Sequence, residues 1–171
     1  MRTHFGAGGA VHARISFEIP MAADRVWEHM RDFRRFICVD PLHQRARFTT
    51  PGNDASPAGR TIVVEHRLLG CRVDRVGRVL KWTEGTGFAF SDLSRRGVHV
   101  GFPHVCYYRL DSLTPTVSRL TVGARGKWTS RSFPRWAARL WLKWVLAATK
   151  GCIIWRMTRA ALAASRSPHS S

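Results

Sequence analysis

The sequence has little of what announces a catalytic or metal-holding protein by motif. Its four cysteines, Cys38, Cys71, Cys106 and Cys152, stand far apart, with no CxxC pair and no Cys/His spacing that suits zinc. That excludes a zinc finger and a disulfide scaffold, and reduced, mostly buried thiols are expected. No GxSxG, HExxH, glycine-rich phosphate loop or paired-carboxylate signature is present, so no motif argues for an enzyme. A secretory leader is not expected, because residues 1–10 are Gly-rich and lack an apolar core.

Carboxylates are scarce in one place. Residues 1–111 hold 17 basic and 11 acidic side chains, a balance of +6, whereas residues 112–171 hold 11 basic side chains and no acid. The whole chain carries +17 at neutral pH, and only four of its 28 cationic side chains are Lys. A segment of one sign attracts polyanions, either a phospholipid surface or nucleic acid. With 171 residues, 44% hydrophobic and 23% charged, the chain is an ordinary globular one with room for a single core.

What is present is a clear order of elements. Apolar positions alternate strictly over residues 11–19 (Val11, Ala13, Ile15, Phe17, Ile19), which predicts a half-buried strand ended by Pro20. Val26, Trp27, Met30, Phe33 and Ile37 recur at helical spacing and predict a helix over 22–36, ending before Asp40-Pro41. Short strands separated by turn residues follow at 42–50, 61–69, 72–82, 88–93, 102–111 and 117–127, with Gly77 marking a bulge. A last helix is expected over 133–164, with Ser132 as N-cap and Pro134 in its first turn.

At 100° per residue, Phe133, Trp136, Leu140, Trp144, Ala147, Ala148, Gly151, Ile154, Trp155 and Leu162 share one broad face of that helix, which is expected to meet the sheet. Arg135, Arg139, Lys143 and Lys150 form a separate basic stripe, interrupted by Leu142, Leu146 and Ile153. A membrane span is rejected, because each of Arg139, Lys143 and Lys150 would cost roughly 2.5–3.5 kcal/mol near the bilayer centre. The partly apolar outer face is either that of an interfacial membrane helix or a set of single exposures and a dimer contact.

The order strand, helix, about six further strands, long terminal helix is that of the helix-grip fold. The segment ISFEIPMAADRVWEHMRDFRRF (residues 15–36) resembles the opening of the START-like (SRPBCC) superfamily, with Pro20, Ala23, Val26, Trp27, Asp32 and Phe36 at the matching positions. The nearest branch is the polyketide cyclase/dehydrase and lipid-transport group. The resemblance implies an α+β fold, with a curved antiparallel sheet of about six or seven strands around the C-terminal helix. By element order it covers residues 11–164 as a START-like domain; a flexible N-terminus (1–10) and a disordered tail (165–171) are expected on either side. It also implies an internal cavity between sheet and terminal helix for an apolar molecule or lipid; no cofactor and no metal are expected.

The residues support such a cavity only in part. Ala147, Ala148 and Gly151 either let the backbone approach closely or leave a void; a void would be lined by Trp144, Trp155, Phe88, Phe90, Leu120 and Val122. His66 shares a strand face with Ile62, Val64 and Leu68, and is either a general base, a ligand-orienting group or a satisfied core histidine. Arg75 either projects into the cavity to hold an anionic head group or lies on the surface. One of Tyr107 and Tyr108 must point inward. Asp92, His99 and His104 border a loop at the expected cavity mouth, but their spacing matches no triad.

The function these observations favour is binding of a hydrophobic small molecule or lipid, with docking on anionic membrane through the basic C-terminal third. The alternative is a cofactor-independent cyclase or dehydratase in the same cavity. Nucleic acid is the least favoured partner, because the helix Trp residues are expected to be buried. The expected location is cytoplasmic, peripheral to the membrane when docked.

Overall fold

The computed structural model describes residues 2–5, 10–52, 56–68, 71–94, 102–129 and 134–165. Its elements are β1 (Arg2–Phe5), β2 (Ala10–Ile19), α1 (Ala23–Met30), α2 (Phe33–Ile37), β3 (His43–Phe48), β4 (Thr61–Leu68), β5 (Cys71–Thr83), β6 (Gly87–Ser94), β7 (His104–Thr114), β8 (Val117–Lys127) and α3 (Arg135–Ser165). The strands form one sheet in the order β1-β2-β8-β7-β6-β5-β4-β3, with every neighbouring pair antiparallel. Helix α3 lies against β2 and β8 on the inner face of this curved sheet. Among the described residues no helix is long and apolar enough to cross a membrane.

The sheet has one strand more than the sequence suggests. Arg2–Phe5, inside the stretch expected to be flexible, pairs with Val11–Arg14 as an edge strand. The expected tail lies, from residue 166 onward, outside the described residues, as do Ser132, Phe133 and His99. The helix expected over 22–36 is two helices. Asp32 interrupts it, because its carboxylate accepts a hydrogen bond from Arg35 N (3.2 Å) and so caps α2 as a new start. The bulge falls between Val79 and Lys81 rather than at Gly77. Gly77 serves a different need: a Cβ there would stand 1.7 Å from the Ser91 carbonyl oxygen, so no side chain fits between β5 and β6.

The larger correction concerns α3. Ala138, Leu142, Leu146, Thr149, Ile153 and Met157 recur every three or four residues and are buried against the sheet. The aromatic face expected to point inward points out: Trp136 is 67% exposed, Leu140 58%, Trp144 53%, Trp155 61% and Leu162 53%. The helix is apolar on both sides, so periodicity alone does not choose between them. A Cβ at Gly151 would meet nothing within 4 Å, so this glycine serves neither close approach nor a void. Thiol burial also differs from expectation: Cys71 and Cys152 are exposed, and Cys38 and Cys106 half-buried.

One half of the interior is filled with rings. Phe33 lies 5.0 Å from Phe88 and 5.5 Å from Phe90, and Phe36 lies 5.5 Å from Tyr108. Trp27 and Trp82 close the cluster at 5.1 Å, and both indole N–H groups donate to the Glu84 carboxylate (2.5 and 3.2 Å). Leu120 is fully buried in the same core.

Candidate functional site

The other half of the interior is open. A cavity of about 210 Å³ lies between the sheet and α3, far above the roughly 10–15 Å³ that one water needs. Leu142, Val145, Leu146 and Thr149 of α3 form its roof, and Val122, Ala124, Cys106 and Tyr108 part of its floor. The Thr149 hydroxyl donates to Val145 O (2.9 Å), which leaves it satisfied within its own helix. Trp128 and Trp141 also line the cavity, and its polar wall consists of Asp40, His43, His66, Arg75, Asp92 and His104.

Strand alternation builds that wall. On β6, Phe88, Phe90 and Asp92 are two residues apart and face inward, so a carboxylate continues the apolar face of the ring cluster and is 1% exposed. On β4, Ile62, Val64 and His66 follow the same rule, and on β7 His104, Cys106, Tyr108 and Leu110. The turn after α2 sets the start of β3: Asp40 accepts from Leu42 N at its carboxylate (2.9 Å) and from His43 N at its carbonyl (3.0 Å). His43 then falls opposite His66 in the β3–β4 register, and the two rings meet edge-on at 4.5 Å.

Asp92 is the centre of the group. Arg75 Nε donates to its Oδ1, and Arg75 Nη2 donates to Asp92 O (3.0 Å) and Phe102 O (2.9 Å). Its Oδ2 faces His66 Nε2 at 3.1 Å, His104 Nε2 at 3.7 Å and His43 Nε2 at 3.9 Å, yet accepts no hydrogen bond. Burial pushes the carboxyl's pKa up, but the His66 and His104 rings, when they carry a second proton, and the Arg75 guanidinium outweigh it. The group is held well below the usual carboxylate range. Burial lowers the His104 pKa, against the pull of Asp92, and raises the thiol of Cys106 and the phenol of Tyr108 well above their ordinary values.

The structure therefore brings His66, Arg75, Tyr108 and Val122 to one cavity. The rest of the expected lining goes elsewhere. Phe88, Phe90 and Leu120 fill the ring-packed half, since large rings there leave no room beside them. Tyr107 is on the outer face, where its ring covers Gly123 and its hydroxyl hydrogen-bonds with His12 Nε2 (2.9 Å). Trp144, Gly151 and Trp155 face away from the sheet, and Ala148 is half-buried on the helix flank. Of the basic stripe, Arg139 and Lys143 are exposed, Lys150 folds back toward the Phe17 ring (5.8 Å), and the Arg135 side chain lies outside the described residues. His43 was missed altogether, although its place just after a Pro-containing turn and across from His66 was open to a register argument.

No protein-family model matches the chain, and no curated protein matches it. Solved structures do. A START superfamily protein from Mycobacterium smegmatis superposes with a TM-score of 0.70 at 14% identity, covering 87% of this chain and 98% of that one. The Zhui aromatase/cyclase from Streptomyces sp. R1128 gives 0.67 at 14% identity, over 89% and 96%. The major latex-like protein 151 of ginseng, Panax ginseng, gives 0.64 at 13% identity, over 88% and 99%. The chain has the START-like helix-grip fold that its opening segment suggests.

Proposed function

We propose that the protein binds a hydrophobic small molecule or lipid in this cavity, with the molecule's polar end against Arg75, Asp92 and the three histidines. The observation that carries the reading is a cavity of about 210 Å³ whose walls are apolar except at one end. There a buried carboxylate oxygen is left without a hydrogen-bond donor. Apolar walls with a few convergent polar groups suit a ligand that is mostly hydrocarbon with one oxygen function. Native mass spectrometry of freshly purified protein, followed by organic extraction, tests this. A stoichiometric apolar adduct is expected; an empty mass together with no uptake from an added lipid extract contradicts it.

The outer face of α3 supports membrane docking as the loading step. Trp136, Leu140, Trp144, Trp155 and Leu162 are exposed beside Arg139, Lys143 and Arg159, with Arg159 stacked 4.8 Å over the Trp155 ring. Indoles and leucines flanked by cations, with no carboxylate after Asp111 to oppose them, suit an anionic interface. Co-sedimentation is expected with vesicles containing phosphatidylglycerol and not with pure phosphatidylcholine; equal binding to both removes the docking step.

A second reading, a cofactor-independent cyclase or dehydratase in the same cavity, is favoured by the convergence of imidazoles on one carboxylate, and one fold neighbour is an aromatase/cyclase. With a ligand identified, His66→Ala separates the two: lost turnover with retained binding supports the enzyme.

A further inference from the structure

The three rings around Asp92 use Nδ1 in the same way. His43 Nδ1 lies 2.8 Å from Ile37 O, His66 Nδ1 3.2 Å from Val64 O, and His104 Nδ1 2.7 Å from Phe102 O. A carbonyl oxygen only accepts, so in each contact the proton belongs to Nδ1, and a neutral ring then presents Nε2 as a bare lone pair. All three Nε2 atoms are turned toward Asp92 Oδ2, at 3.1 to 3.9 Å. An ionised carboxylate is acceptor-only as well, and Arg75 is already committed to Oδ1. With the three rings neutral, lone pairs from four side chains converge in the interior with no hydrogen between them. Such a grouping is unfavourable until a cation stands among them.

The geometry points to a binding site for one divalent transition-metal ion, formed by His43 Nε2, His66 Nε2 and Asp92 Oδ2. These three atoms lie within 4.8 Å of one another on fully buried side chains. Ligands at about 2.0–2.2 Å from a common ion stand roughly 3–4 Å apart, so ring rotations that draw the atoms together by up to about 1 Å complete the set. The surroundings are those of a metal site. Each imidazole is oriented by a backbone carbonyl through its other nitrogen, and the carboxylate is anchored by Arg75 through its other oxygen. Two imidazoles and one carboxylate favour zinc or ferrous iron over calcium or magnesium. Three protein ligands leave coordination positions free. All three residues line the cavity, so those positions suit an oxygen of a bound molecule, such as a carbonyl, hydroxyl or enolate.

The site does not depend on the apolar ligand proposed above, and the test is run on delipidated protein. The untagged full chain is stripped with a chelator and dialysed against Zn²⁺ or Co²⁺. One equivalent per chain is expected, with visible ligand-field absorption for Co²⁺ that added Zn²⁺ abolishes. His43→Gln and Asp92→Asn are each expected to weaken uptake by at least about tenfold, while His12→Gln, on the outer face, leaves it intact. If a variant fails to fold, imidazole ¹⁵N spectra of the wild type decide: zinc must shift Nε2 of His43 and His66. Folded wild-type protein that takes up neither ion overturns the site. So does an equivalent of metal that leaves both Nε2 signals unmoved, and so does an Nε2 proton on His66, seen in stripped protein, that persists when zinc is added.

Discussion

Two halves of the same interior, under one sheet, are built in opposite ways. Toward α1 and α2 the space is closed by Phe33, Phe36, Phe88, Phe90 and Trp82, ring against ring, with Glu84 satisfying the two outer indoles. Toward α3 the inward residues are smaller (Cys106, Val122, Ala124, Thr149), and the space stays open and ends in a buried ionised group. The strands are continuous across both halves: β6 passes from Phe88 and Phe90 to Asp92 in four residues, and β7 from Tyr108 to His104. A packed half and an open half are thereby separated along individual strands. Phe33, Phe36, Phe88 and Phe90 pack against one another in the filled half, whereas Phe102, Tyr108, Trp128 and Trp141 border the open space.

Truncating the filled half should give the largest effect. Phe90→Ala or Phe36→Ala is expected to cost about 3–5 kcal/mol of stability, read by urea unfolding, because a tightly surrounded ring leaves a void. Filling the open half should do the reverse. Ala124→Phe is expected to keep stability within about 1 kcal/mol, since the added ring enters existing space, and to weaken apolar-ligand affinity by at least about tenfold, or 1.4 kcal/mol. A stability loss as large as that of Phe90→Ala would mean that the two halves are equally packed.

A smaller effect concerns pH. Burial holds the His104 pKa below 6.5 in the folded chain, so the unfolded chain takes up that proton first as pH falls. The stability contributed by neutral His104 is complete above about 6.5 and is lost as pH drops from there toward the folded value. The melting temperature of the metal-free wild type should therefore fall more steeply between about pH 7.5 and 5.5 than that of His104→Gln. Equal slopes would place the ring in water.

The smallest effect on stability is expected on the outer face of α3. Trp144→Ala with Trp155→Ala should change unfolding free energy by no more than about 0.5 kcal/mol per site, as for other exposed positions. The same pair should abolish binding to anionic vesicles. A large stability loss would show that this face is covered.

The order of elements was legible because strand alternation and turn residues are local signals, and all six expected strands after the first helix are found close to their expected bounds. His66 and Arg75 were legible for the same reason, as polar residues set into inward strand faces. Asp92 carries the same signal, two residues after Phe90, but its place beside a loop masks it. His43 could be placed only through its register with His66, a non-local relation between β3 and β4. The orientation of α3 was not legible, because both of its sides are apolar and helical periodicity does not choose between them.

The most direct measurement is titration with an environment-sensitive naphthylamine dye of the wild type, of Ala124→Phe and of the Trp144/Trp155 double alanine variant. The account predicts saturable binding of one dye per wild-type chain, unchanged in the helix variant and lost when the open half is filled. Binding that survives Ala124→Phe and disappears with the two tryptophans would place the apolar site on the surface of α3, and would contradict a ligand cavity under the sheet.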